Sequence, residues 1–168
     1  MDNKEELKKF FDPNEYITKI VGGQEEIDVP ATKKSKTATL ISLLTDPENK
    51  DVKEEALLTL KKEKAGDLLI DAIHQVKTKA KKTLLVAACW ESEINFSANL
   101  DLFIELACDT DYLVSLEAIT VIDTMEGPFK AEALKQGIER VKLEQKKLNS
   151  ERVVLLNDLL VRLNGLQV

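Results

Sequence analysis

The chain has 168 residues, of which 32% are charged and 43% hydrophobic, and its formal net charge is −6. These values are typical of one globular domain, and the negative charge disfavours a general nucleic-acid binder, whose affinity depends on neutralising phosphates. The first residues show no apolar leader, and no run approaches the roughly 20 apolar residues of a membrane span. We therefore expect a cytoplasmic protein without a membrane segment.

Residues 1–36 predict an N-terminal helical cap followed by a loop. Helices are expected over 3–11 and from about Asn14, with an interruption at Pro13, because proline disfavours helical geometry at the preceding residue. Residues 24–36 contain an acidic patch, Pro30 and a lysine-rich run. They are predicted to form the loop.

From about residue 37 onward, apolar residues recur with a period of about 31 residues, and each period contains two helical stripes. Ala56, Ala87 and Ala118 keep this period, and their small side chains favour close approach of neighbouring helices. The first-helix stripes are Leu40, Ile41 and Leu44; Leu69, Ala72, Ile73 and Val76; Leu100, Phe103, Ile104 and Ala107; and Leu134, Gly137, Ile138 and Val141. The second-helix stripes are Val52, Ala56, Leu57 and Leu60; Leu84, Ala87 and Ala88; Val114, Ala118, Ile119 and Ile122; and Val153, Val154, Leu156, Leu160 and Leu163.

Turn residues agree with the helix boundaries that this pattern predicts. Asp51, Asp111 and Ser150 precede second helices, where their side chains can accept hydrogen bonds from free amides. Gly127-Pro128 separates the third and fourth pairs. Gly165 suits the C-terminus of the last helix.

Two segments share one arrangement of an aspartate, a few polar residues, a valine and a Glu-Ala or Glu-Glu-Ala step. They are Asp46…Val52-Lys53-Glu54-Glu55-Ala56-Leu57 and Asp109…Val114-Ser115-Leu116-Glu117-Ala118-Ile119, whereas the middle copy has lysines in place of the aspartate. Over residues 37–164 this resembles the HEAT-repeat family, an armadillo-type group, in its short class that also appears in bilin-lyase-type proteins. The resemblance implies an all-α, right-handed superhelix of about four helix pairs in a single domain, 1–168. It also implies a binding scaffold whose second helices line a concave face.

The charge distribution suggests where a partner binds. Residues 93–128 hold eight acidic residues and no basic one, which describes either a solvated face or a negative field that attracts a basic segment. Trp90, at the end of a second helix, is either core or an apolar anchor for a partner. The residues predicted to bind the partner are Trp90, Glu91, Glu117, Thr120, Asp123 and Lys53.

Other candidate sites have weak support in the sequence. Lys77, Lys79, Lys81 and Lys82 form either a solubilising turn or an anion site at a helix N-terminus. His74 has no second histidine or nucleophile to complete a zinc site or a catalytic triad. Cys89 and Cys108 lie in apolar helical patterns, as small buried side chains do. We therefore expect no catalytic residue, metal or cofactor.

Three functions are compatible with these observations. The leading hypothesis is a non-enzymatic protein–protein interaction scaffold that binds a partner, a basic segment, on the concave face. An alternative is a HEAT-like DNA-binding protein or alkylpurine DNA glycosylase, with Trp90 beside Asp123, although the acidic composition disfavours nucleic acid. A third is a bilin-lyase-like chromophore chaperone, which needs an open apolar groove.

Overall fold

The structure is a computed structural model that describes residues 29–147 and 151–166, except for the side chains of 29–36, 49–51 and 151. Over these ranges the protein is all-helical, with eight α-helices, two short 3-10 turns and no strand. The all-α prediction is confirmed for this part of the chain. The helices predicted over 3–11 and from Asn14 lie outside it.

The helices follow one another with short connections. They are α1 (Val29–Thr45), α2 (Lys50–Lys62), α3 (Gly66–Gln75), α4 (Lys79–Glu91), α5 (Leu100–Ala107), α6 (Tyr112–Thr124), α7 (Ala131–Gln145) and α8 (Glu151–Gly165). The 3-10 turns Pro47–Asn49 and Ser97–Asn99 lead into α2 and α5.

Helix α1 corrects the loop predicted over residues 24–36, because it begins at Val29. Pro30 lies in its first turn, where backbone amides have no intrahelical acceptor and the missing proline N–H costs no hydrogen bond. No glycine follows until residue 66, and the lysine-rich run is compatible with a helix. The assignment of Pro30 to a loop was therefore wrong, because this proline lies in the first turn of a helix.

The chain divides between Val76 and Lys77 into two compact units. In the amino-terminal unit, α1 packs against α2 and α3. The stripe residues at the centre of these helices are buried, namely Leu40, Leu44, Ala56, Leu57, Leu60, Leu69, Ala72 and Ile73. The prediction of a single domain over 1–168 stays a prediction.

In the carboxy-terminal unit, helix contacts define two rows. The second helices α4, α6 and α8 lie in one row, since α6 packs against both of the others. The first helices α5 and α7 pack against each other, and they also pack against α6 and α8, respectively. Each second helix of the pairs α5–α6 and α7–α8 therefore buries one side on its first helix and lies beside its neighbours in the row.

Most residues of the predicted stripes are buried, six are partly buried and two are exposed. Ala56, Ala87 and Ala118 are all buried, as the period of about 31 residues predicted. Leu84 and Val154 were assigned to stripes but are 39% and 62% exposed. Each belongs to a run of consecutive apolar residues that is wider than the side of a helix that a neighbour can cover. The apolar pattern alone could not locate the edge of the core.

Gly137 fills the slot that Ala72 and Phe103 occupy in earlier copies, and the packing of α7 on α5 explains it. A Cβ atom at Gly137 would overlap Cδ1 of Ile104, which is itself buried. The absence of a side chain therefore allows α7 to approach α5 closely.

Candidate functional site

Two aspartates, Asp109 and Asp111, stabilise the turn that precedes α6. Asp111 accepts hydrogen bonds from the amides of Leu113 and Val114 at 3.0 and 3.1 Å, so the predicted N-cap is confirmed. Asp109 accepts from the amide of Asp111 at 2.9 Å. Asp46 closes a similar turn before α2 by accepting from the amide of Glu48 at 3.0 Å. The side chains of Asp51 and Ser150 lie outside the described residues.

Basic side chains from two other helices then bind this turn. Lys79 of α4 donates to the Asp109 carboxylate, and Arg152 of α8 donates to the carbonyl oxygens of Cys108, at 3.4 Å, and of Asp109. Burial opposes ionisation of Asp109, but hydrogen bonds from Lys79 and the Asp111 amide, together with nearby positive charge, lower the pKa of its carboxyl. One lysine of the predicted anion site therefore serves an internal contact.

The two cysteines are free thiols in different surroundings. Cys89 is fully buried, and burial raises the pKa of its thiol well above the ordinary range. Cys108 is partly exposed, and burial raises the pKa of its thiol although Arg140 and Arg152 favour the thiolate. A thiol with a raised pKa is a poor nucleophile at neutral pH. Both cysteines therefore fit the interpretation as small apolar side chains.

One side of α6 packs against neighbouring helices, and the other side presents large apolar side chains to water. Val114 and Ala118 are buried against neighbouring helices, whereas Leu113 is 55% exposed and Leu116 is also exposed. Thr120 continues the row formed by Leu113 and Leu116, because residues three and four apart share one side of a helix. We call this side, with its equivalents on α4 and α8, the outward face.

The other second helices have similar residues on this side. On α8, Val161 is 75% exposed and lies two helical turns after Val154, whereas Leu156 and Leu159 are fully buried. Six of the seven large apolar side chains exposed in the described part of the carboxy-terminal unit belong to second helices: Leu84, Tyr112, Leu113, Leu116, Val154 and Val161. Leu143 of α7 is the seventh.

Trp90 and Glu117, two of the predicted partner-binding residues, lie together. The indole Nε1 of Trp90 donates to Oε2 of Glu117 at 2.8 Å, which joins the end of α4 to the middle of α6. Both side chains are partly buried. Trp90 is thus neither wholly core nor freely exposed.

The remaining predicted residues have varied surroundings. Asp123 forms an ion pair with Nε of Arg162 at 3.1 Å, and the Thr120 hydroxyl donates to the Leu116 carbonyl at 3.1 Å. Glu91 is partly buried on α4. Lys53 lies on α2, in the amino-terminal unit. Their role in binding a partner stays a prediction.

Sequence reasoning missed the exposed apolar residues Leu113, Leu116 and Val161. The signal that could have found them is an apolar residue beside a core stripe rather than in it. Leu113 directly precedes the buried Val114, and Val161 lies between the buried positions 159 and 163. Their exposure depends on which side of each helix its neighbours cover, and local sequence does not encode that.

A separate open pocket lies between α7 and the end of α8. Its volume is about 370 Å³. Leu134 and Leu163 form its apolar floor, and Lys135, Glu139 and Lys142 stand among its lining residues. It does not include the predicted partner-binding residues.

Comparisons with protein-family models, curated proteins and solved structures find no match for the chain. In the described residues, no group of three or more histidine, cysteine or carboxylate side chains is arranged to hold a metal ion. No helix in the same ranges is long and apolar enough to cross a membrane.

Proposed function

We propose that the protein is a non-enzymatic scaffold that binds a protein partner through the outward face of α4, α6 and α8. We also propose that its helix pairs stack as a HEAT-like α-solenoid, in which the outward face of the second helices is the concave surface. The arrangement of second helices in one row and first helices in another supports this stacking. A stack of this kind presents one continuous surface, which is the usual binding surface of repeat proteins.

The concentration of exposed apolar side chains on the second helices carries the proposal. Burial of apolar surface stabilises a protein by roughly 25 cal/mol per Å². An exposed leucine or valine therefore stabilises the fold less than a buried one does. Exposed apolar residues are normal when scattered singly, whereas a contiguous group is typical of an interaction site. Leu113, Leu116, Val154 and Val161 occupy two adjacent helices.

The charges near these residues favour a basic partner segment. Glu117 and Asp158 lie on α6 and α8, and residues 93–128 contain no basic residue. Arg162 is already engaged by Asp123. A lysine or arginine that approaches the face therefore meets the carboxylates of Glu117 and Asp158, for which the described residues provide no ion pair, and this increases the association rate and disfavours acidic partners.

The alternatives receive less support from the same contacts. A glycosylase site would need Trp90 and Asp123 to act on one base, yet Trp90 is bonded to Glu117 and Asp123 to Arg162. A chromophore chaperone would need an apolar groove that accepts a small molecule, and the pocket beside α7 mixes apolar residues such as Leu134 and Leu163 with three charged side chains. We therefore propose neither function.

Affinity capture followed by mass spectrometry tests the proposal when it is done with matched variants. The double variant Leu113→Asp/Leu116→Asp should reduce capture of the true partner at least tenfold, since central apolar residues dominate interface energies. Leu143→Asp is the control, because Leu143 is 57% exposed, close to the value for Leu113, but lies on a first helix. It should bind as the unmodified protein does.

Two further measurements distinguish a loss of binding from a loss of folding, and a protein partner from a DNA partner. Trp90→Ala/Glu117→Gln should weaken binding while circular dichroism shows an unchanged helix content. Equal capture by every variant would contradict the proposed face. Micromolar binding of duplex DNA at low salt would instead favour the nucleic-acid alternative.

A further inference from the structure

We infer that the partner segment is an amphipathic α-helix with basic flanks, seated along the seam between α6 and α8. This inference rests on the proposed function, because it specifies what the outward face binds. Three features carry it: the equal length of the rows of exposed apolar residues on α6 and α8, the scarcity of side-chain amides that could bind an extended backbone, and the sign of the surrounding charge.

Exposed apolar side chains form a row on each helix, and the two rows have the same length. On α6, Leu113 and Leu116 are exposed and the partly exposed Thr120 continues their row. On α8, the exposed Val154 and Val161 stand on either side of the exposed Asp158. The ends of each row lie seven residues apart, or about 10 Å along the helix axis at 1.5 Å per residue. A partner helix with apolar residues at i, i+3 or i+4, and i+7 covers the same length, as in helix-in-groove recognition.

Contacts at both ends keep the rows beside each other. Arg152, near the start of α8, binds the turn that precedes α6. Arg162, near the end of α8, binds Asp123 near the end of α6, at its carboxylate and at its carbonyl oxygen, 2.7 Å away. The two helices therefore run parallel, and a third helix packed along them could contact both.

The seam between α4 and α6 offers a partner helix less apolar surface. Both seams are crossed by a side-chain contact, that of Trp90 with Glu117 between α4 and α6 and that of Arg162 with Asp123 between α6 and α8, so these contacts do not distinguish them. The one large apolar side chain with substantial exposure that α4 contributes is Leu84. The seam between α6 and α8 thus offers more uncovered apolar surface.

An extended peptide would find few side-chain partners for its backbone on this face, chiefly the carboxylates of Glu117 and Asp158, which accept hydrogen bonds but cannot donate them. Its amides and carbonyls need hydrogen bonds when they leave water, and helices α4 and α6 contain no asparagine or glutamine. Asn157 of α8 accepts from Gln145, Asn164 donates to the Leu160 carbonyl, and the Thr120 hydroxyl donates to Leu116. A helical partner needs none of these groups, because its own backbone bonds are already made.

Charge specifies the flanks of the partner helix. Asp158 is exposed on α8 between Val154 and Val161, and Glu117 follows Leu116 on α6. Lysine or arginine beside the apolar row of the partner would face these carboxylates. We expect an amphipathic helix with leucine-like residues on one side and basic residues on either side of them.

The test uses three synthetic peptides without tryptophan and reads the emission of Trp90, the only tryptophan of the chain, together with calorimetry. One peptide is an 18-residue helix (a length of about 27 Å) with one leucine face and lysine flanks. The second has the same composition in an order that breaks the leucine face. The third has glutamate in place of lysine. We expect binding of the first with a Kd below about 100 µM, and at least tenfold weaker binding of the other two.

Protein variants locate the site and keep the two proposals distinguishable. Leu116→Asp and Val161→Asp should each weaken the first peptide at least fivefold, and Leu143→Asp should not. Equal binding of the ordered and scrambled peptides, no binding below about 100 µM, or binding that Leu116→Asp and Val161→Asp leave unchanged would each overturn the helix inference. The proposed function would survive these results if the captured partner still required Leu113 and Leu116, and it would fail with the inference if the partner did not.

Discussion

The turn before α6 and the outward face of the same unit use charged and apolar residues in opposite ways. At the turn, Lys79 and Arg152 bind the Asp109 carboxylate and main-chain carbonyl oxygens, so the charges stabilise the fold from within. On the outward face, large apolar side chains remain in water and the nearby charges include carboxylates such as Glu117. A run of charged residues in the sequence is thus a poor guide to a binding surface in this protein. Large apolar residues that are exposed to water are a better guide.

Replacement of Arg152 should have the largest effect on the turn. Hydrogen bonds from a charged donor contribute about 1.5–3 kcal/mol, and the Nη2 of Arg152 donates to the carbonyls of two consecutive residues. Arg152→Ala should therefore lower the free energy of unfolding by about 2 kcal/mol. Urea denaturation followed by Trp90 emission measures the change.

Arg162 provides the matched comparison for Arg152. Its ion pair with Asp123 is solvent-exposed on both sides, and exposed pairs contribute about 0–1 kcal/mol. Arg162→Ala should lower the free energy of unfolding less than Arg152→Ala does. The difference between the two variants should widen at high salt, because salt screens the exposed ion pair. Equal losses would contradict the view that the turn is an internal structural contact and the Asp123 pair a surface one.

Removal of the N-cap of α6 should have the next largest effect. Asp111→Ala leaves the amides of Leu113 and Val114 without their acceptor and should cost about 1 kcal/mol in the free energy of unfolding. Asp111→Asn should retain most of the stability, because asparagine caps nearly as well. A loss in Asp111→Asn as large as in Asp111→Ala would mean that charge, rather than the cap, matters.

Local signals account for the parts of this molecule that could be predicted. Asp111 caps the helix that follows it, and the stripe Leu100, Phe103, Ile104 and Ala107 is fully inside, because turn chemistry and helical spacing act over a few residues. Lys79 and Asp109 are 30 residues apart, so their contact depends on how α4 and α6 pack. The same holds for Trp90 and Glu117, which were both predicted to bind a partner but were not predicted to contact each other.

The pH dependence of stability should reveal the Asp109 contact. The pKa of this carboxyl is lowered in the folded protein from its ordinary value of 3.8. Its contribution is therefore complete above pH 3.8 and is lost as the pH falls through the lower, folded-state pKa. Asp109→Asn should lose less than about 1 kcal/mol at pH 7, because the Lys79 side chain is 46% exposed and water weakens the ion pair.

The difference between the wild-type chain and Asp109→Asn should shrink as the pH falls below 3.8. Lys79→Ala should remove much of the same pH-dependent part, since Lys79 is a main cause of the lowered pKa. Denaturation curves at several pH values compare the three proteins. A constant difference between wild type and Asp109→Asn at every pH would rule out ionisation of Asp109 as its source.

Substitutions on the outward face should have the smallest effect on stability. Leu113→Asp and Val161→Asp place a polar group where the side chain already meets water, and such surface changes usually stay within about 0.5 kcal/mol. The same substitution at the fully buried Leu156 should prevent folding, since an unpaired charge would be buried. A loss above about 1 kcal/mol in either outward variant would show that the apolar rows support the fold itself. Near-neutral stability, combined with loss of partner binding, would instead separate the residues that hold the helices together from those that serve the partner.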